Sequence, residues 1–135
     1  MIDNRAADAA QQPAANPATP QQVFDAQAAI ERLDGDVELF QMLIVVYMED
    51  SASLLQQLSE AAARGDLAEV QRTAHSLKGL ASNFDAAAAT GAAANIETLA
   101  RAGDLPAAAA AIPALQAHSD ELRDALSRFN PDELA

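Results

Sequence analysis

The run Ala74-His75-Ser76-Leu77-Lys78-Gly79 holds the residue types best suited to chemistry in this chain. A neutral imidazole nitrogen is a competent nucleophile near neutral pH. Lys78 follows His75 by one helical turn, so its ammonium can reach whatever is attached to the ring. Gly79 is harder to explain by folding alone, because a mid-helix glycine costs about 1 kcal/mol relative to alanine. In a chain this rich in alanine, that cost points to access: a Cβ at 79 would obstruct something that must approach His75. Transfer of a phosphoryl group between proteins has these requirements. The attacking nitrogen and the phosphorus must line up, and a cation must offset part of the transferred charge. Ser82 and Arg72 lie near enough along the helix to support the group, although Arg72 reads first as an ordinary surface charge. His118 lacks any Lys-Gly neighbourhood and reads as structural or solvent-facing.

The elements that must position these side chains are helical throughout. Residues 1–20 are Ala, Gln, Asn and Pro without apolar periodicity and read as a tail or linker. A first short helix is expected over about 21–33 and a second from an Asp36 cap to Ala63. Arg64-Gly65-Asp66 makes a tight connection to a third helix over 67–84. Asp85 is placed to cap a fourth helix over 86–102. Gly103-Asp104 precedes a fifth over 105–129, where Pro113 predicts a kink or a later start. Residues 131–135 read as a C-terminal tail.

Apolar residues recur in steps of three and four, including Leu67, Val70, Ala74, Leu77, Ala81 and Phe84 in the third helix. The pattern predicts an all-α fold, an antiparallel up-down-up-down four-helix bundle with a short additional N-terminal helix, over 21–130. With the third seam centred on Ala74 and Ala81, His75 points about 130° away, into solvent.

Composition narrows the function classes. The formal net charge of −12 weighs against nucleic acid and anionic membrane surfaces. With no cysteine, disulfides, thiolate metal sites and cysteine nucleophiles are excluded. The longest apolar run, Met42 to Met48, falls far short of the ~20 residues of a membrane span. With no secretory signal visible, a cytoplasmic protein is the simplest reading. His75 and His118 have no convergent carboxylates at ligand spacing, so no metal site is expected.

AHSLKG followed by Ala81, Asn83, Phe84 and Ala86 resembles the motif of the histidine-phosphotransfer (HPt) family of bacterial two-component phosphorelays. The similarity extends over about 22–128. It implies that His75 accepts the phosphoryl group, that Lys78 neutralises its charge, and that Gly79 admits the partner. It implies a phosphocarrier without a nucleotide site rather than an enzyme. The partner would be the receiver domain of a response regulator or hybrid sensor kinase, which supplies Mg²⁺ and the acidic pocket, so the chain itself needs no cofactor. A monomer is expected. The chain departs from the family at Asp85, where glycine is usual, and at Leu80, where a small residue is common. A second apolar stripe, Val45, Met48, Ala52 and Leu55, is the expected partner-binding surface. The rival reading is a docking module that binds a receiver without phosphotransfer. A third, minor one is the first domain of a chemotaxis-type kinase.

Overall fold

The structure, a computed structural model, describes residues 23–134; the expected tail over 1–20 lies outside the described residues. The elements in order are α1 (Ala26–Arg32), α2 (Val37–Ala63), α3 (Leu67–Ser82), α4 (Ala87–Arg101), α5 (Leu105–Ser127) and a terminal 3-10 turn (Pro131–Leu134). No strand occurs among the described residues. Helices α2 to α5 each pack on the next, α5 closes the ring against α2, and α1 lies on α2.

Local chemistry accounts for the boundaries. Asp25, Asp36, Asp66 and Asp104 each accept a hydrogen bond from the backbone N–H three residues on. Such a cap satisfies an orphan helix donor and is worth about 1 kcal/mol. Gly35, Gly65 and Gly103 leave their helices in the left-handed region, with φ of 81°, 74° and 81°. That Asp-after-Gly punctuation makes the turns short and the bundle antiparallel.

Three expectations are corrected. The expected helix over 21–33 is not continuous: Phe24 and Asp25 are not helical, α1 begins after its Asp25 cap, and Phe24 is drawn into the core, while residues 21 and 22 lie outside the described residues. Asp85 does not cap α4: the N-cap is Ala86, with no side-chain cap bond, and Asp85 itself takes a left-handed backbone at φ 51°. Its carboxylate instead pairs with Arg32 of α1. Finally, α5 runs unbroken through Pro113. Pro113 and Ala109 are both exposed, so water can serve the carbonyl that the missing N–H leaves free.

The interior has two chemically distinct layers. All four Phe and the single Tyr of the chain gather at the α1 end, where Phe24, Phe84 and Phe129 surround Phe40 and Tyr47 packs edge-on to Phe84. Between the layers, the Tyr47 hydroxyl and Ser119 Oγ share a buried hydrogen bond of 2.9 Å. The other layer is aliphatic and rich in alanine: Leu55, Leu58, Val70, Ala74, Leu77, Ala93, Ile96 and Leu115. His75 stands on the outside of this second layer. Its neighbours Ala74 and Leu77 are fully or almost fully buried, which fixes the helix rotation that turns the ring outward.

Candidate functional site

The periodicity of α3 places His75 as expected. Its side chain is 65% exposed, whereas the seam residues Val70, Ala74, Leu77 and Ala81 are buried. Lys78 is half-buried at 34% side-chain exposure, its stem lying along the α3–α4 surface. A Cβ built at Gly79 would meet nothing within 4 Å, so glycine is not required there by packing. The surface beside His75 is open at that position.

The organising residue of the site comes from α4 and was not singled out from the sequence. Glu97 is buried, with 7% of its side chain exposed, yet its carboxylate is fully engaged. Oε2 lies 2.9 Å from His75 Nδ1 and 2.9 Å from an Arg101 guanidinium nitrogen, and Oε1 lies 2.8 Å from Lys78 Nζ. The hydrogen bond from Lys78 is the main cause that holds the Glu97 carboxyl below the usual carboxylate range; burial opposes it, and the His75 bond adds to it.

An ionised carboxylate can only accept hydrogen bonds, so His75 Nδ1 must be the donor. In the neutral ring that leaves the proton on Nδ1 and the lone pair on Nε2, the nitrogen turned away from Glu97. The arrangement can therefore present a nucleophilic Nε2 to solvent. Two cations, Lys78 and Arg101, are anchored to the same carboxylate that holds the ring. Lys78 and Arg101 against Glu97 leave the cluster with one net positive charge, in a chain whose formal charge is −12. A phosphoryl group, at about −1.5 to −2, would meet a locally favourable potential.

The other sequence candidates fall elsewhere. Ser82 Oγ donates to the Gly79 carbonyl at 2.8 Å, so its hydroxyl serves its own helix rather than the His75 cluster. Arg72 is paired with Glu69 one turn back. His118 lies against Glu121 at 3.4 Å on α5 and is not part of the cluster. Among the described residues, no three His, Cys, Asp or Glu side chains are grouped to hold a metal ion. Nor is any described helix long and apolar enough to cross a membrane.

The expected partner stripe is only partly a surface. Val45 and Ala52 are exposed, but Met48 packs half-buried against the aromatic layer and Leu55 is 3% exposed in the aliphatic core. At 100° per residue Leu55 lies about 40° from the buried Ser51, within the arc that α2 turns toward its neighbours. Among the described residues, the exposed large apolar ones are instead Leu39, Met42, Val45 and Val46, with Met42 the most open at 64%. Met42 is about 180° from Ser51, directly opposite the core.

A closed ring of four antiparallel helices, one of them bearing an exposed histidine and glycine with a half-buried lysine between them, defines a helical phosphotransfer module, and the comparisons place the chain accordingly. The family model described as Hpt domain matches residues 42–128, and the chain belongs to that family, whose members carry phosphoryl groups on histidine in two-component phosphorelays. The fold is similar to the crystal structure of histidine-containing phosphotransfer protein B (HptB) from Pseudomonas aeruginosa PAO1. The two are 26% identical with a TM-score of 0.70, over 80% of this chain and 97% of that one. No curated protein matches the chain.

Proposed function

We propose that this chain is a phosphorelay carrier that accepts a phosphoryl group on His75 Nε2 from the aspartyl phosphate of a receiver domain and passes it to another receiver. The observation that carries this reading is the hydrogen bond from His75 Nδ1 to Glu97, which fixes the ring and leaves Nε2 free and outward. Lys78 and Arg101 offset the charge of the group, and the open surface at Gly79 lets the receiver approach in line. The chain acts as a carrier, binding no nucleotide; the metal and acidic pocket that activate the aspartate belong to the receiver.

Docking falls on the α2 face bearing Leu39, Met42, Val45 and Val46. These four are neighbours on two turns of one helix, and an exposed contiguous apolar patch marks an interaction site. Counting back from the Gly65 turn, position 55 is level with His75, so Val46 lies about 14 Å along α2 from that level. Both fit within one standard protein interface, which spans about 800 Å² per partner.

The test is phosphotransfer from labelled receiver-phosphate to the full chain. Wild type is expected to gain acid-labile, alkali-stable label on His75, and His75→Gln to gain none. Label acquired by His75→Gln at the wild-type rate would refute the assignment. Tight receiver binding without transfer, unaffected by His75→Gln, would mark a docking module instead.

A further inference from the structure

We infer that Glu97 makes phospho-His75 a short-lived conduit rather than a store, by keeping the ring protonated at Nδ1 and drawing Lys78 and Arg101 back from the phosphoryl oxygens. The inference rests on the carrier reading above and concerns what happens after the group arrives.

Consider each bond in turn. On acceptance, the Nε2 lone pair attacks the phosphorus of the receiver's aspartyl phosphate. The N–P bond forms as the P–O bond to the aspartate breaks, and the aspartate departs as a carboxylate with the bonding pair. Nδ1 already carries a proton, so the ring is now a cation. Glu97, 2.9 Å from Nδ1, stabilises that cation, as a buried carboxylate does for any imidazolium beside it. On donation, a carboxylate oxygen of the next receiver attacks phosphorus and the N–P pair returns to Nε2. The ring then leaves as neutral imidazole, in the tautomer it began with, and no proton has to move. Without the Glu97 charge the Nδ1 proton is free to pass to water after acceptance. The phosphorylated ring is then neutral, and donation would have to expel an imidazolate or wait for reprotonation.

The cations act in the same direction. Lys78 and Arg101 are both bonded to Glu97, at 2.8 and 2.9 Å, so they are shared between carboxylate and phosphoryl group. In the phosphorylated cluster Lys78, Arg101 and the ring supply three positive charges. Glu97 and a dianionic phosphoryl group supply three negative ones, and the cluster is neutral. With glutamine at 97 the two cations have no carboxylate to share and close on the phosphoryl group alone. Glu97 is thus a positioning residue whose charge lowers the barrier to giving the group away.

The experiment uses the full chain charged with phosphoramidate, a small donor that needs no receiver. It follows the half-life of phospho-His75 alone, and then its decay on adding a receiver domain that discharges wild type. Glu97→Gln is expected to lengthen the half-life several-fold and to slow onward transfer on the order of tenfold, as a hydrogen bond to a charged carboxylate is replaced by one to a neutral amide. Arg101→Gln, at an exposed side chain that leaves the fold intact, is expected to shorten the half-life, because the phosphoryl group loses a cation while the carboxylate stays. Opposite signs from these two substitutions are not what loss of local structure would give. A Glu97→Gln half-life equal to or shorter than wild type overturns the inference. Should Glu97→Gln fail to fold, Arg101→Gln decides: an unchanged or longer half-life overturns the inference and a shorter one supports it. If phosphoramidate and receiver-phosphate both fail to label wild type at His75, the carrier reading itself is wrong. Labelled wild type with unaltered lifetimes in both variants sinks only the role given to Glu97.

Discussion

Replacing Gly79 with alanine should make the protein more stable and less active. In the structure a Cβ at 79 meets no heavy atom within 4 Å, so no clash offsets the gain in helix propensity. Glycine inside a helix costs about 1 kcal/mol relative to alanine, most of it backbone entropy lost on folding. For a bundle of this size, 1 kcal/mol should raise Tm by roughly 4 °C. Gly91 is a built-in control: it too lies inside a helix, α4, is exposed, and has nothing within 4 Å of an added Cβ. Gly91→Ala should stabilise by the same amount. The two must part in function. Gly79 is one turn from His75, where a methyl group stands in the path of the receiver, and displacing reacting atoms by about 1 Å can cost on the order of 100-fold. Gly79→Ala should therefore slow transfer from receiver-phosphate by tenfold or more, and Gly79→Gln further, whereas Gly91→Ala leaves the rate unchanged. Thermal melts and single-turnover transfer on the same preparations measure both. Equal transfer rates for the two alanine variants would refute the access role of Gly79. Destabilisation by Gly79→Ala would refute the packing analysis beneath it.

Three further outcomes follow from the geometry. Asp85 sits at φ 51°, where alanine pays about 1–2 kcal/mol that aspartate partly escapes and glycine avoids. Asp85→Ala should lower the urea midpoint, while Asp85→Gly, losing only the exposed pair with Arg32, should stay within about 1 kcal/mol of wild type. The Glu97 carboxyl is held low in the folded state, so its contribution to stability is complete above the ordinary value of 4.5 and is lost as pH falls through the lowered one. The stability difference between wild type and Glu97→Gln, measured by urea unfolding, should therefore shrink from pH 7 to pH 3; a constant difference would contradict the ionised, anchored carboxylate. Burial pushes the Tyr47 phenol up from 10.0, with the Ser119 hydrogen bond pulling part of the way back. The unfolded chain thus loses that proton first, and stability should fall as pH rises above 10. Tyr47→Phe should remove that alkaline loss while costing about 1 kcal/mol at pH 7 for the Ser119 bond.

Much of this protein can be read from local sequence because local physics fixes it. Aspartate following glycine marks the starts of α3 and α5, and three-four apolar spacing sets the rotation that buries Ala74 and exposes His75. His75, Lys78 and Gly79 share one helix, so one periodicity positions all three. Leu55 was misjudged because spacing locates the centre of a buried face and not its width. How far the core wraps around α2 depends on α3 and α5 packing on either side. The later start offered for α5 at Pro113 does not occur for a related reason, since the cost of that proline depends on whether water reaches one carbonyl.

Glu97 marks the boundary between the two kinds of information. Within NIETLAR it looks like any acidic residue of an amphipathic helix, with Arg101 a helical turn on as an ordinary ion-pair partner. Only the docking of α4 on α3 brings it to His75, 22 residues away in sequence, and removes it from water with Lys78 and Arg101 as compensation. Which residue is proposed to carry the reactive nitrogen is a matter of sequence. Which nitrogen of that ring is free, and what it stands beside, is settled by tertiary packing, because a ring tautomer follows from a hydrogen bond that no local pattern encodes.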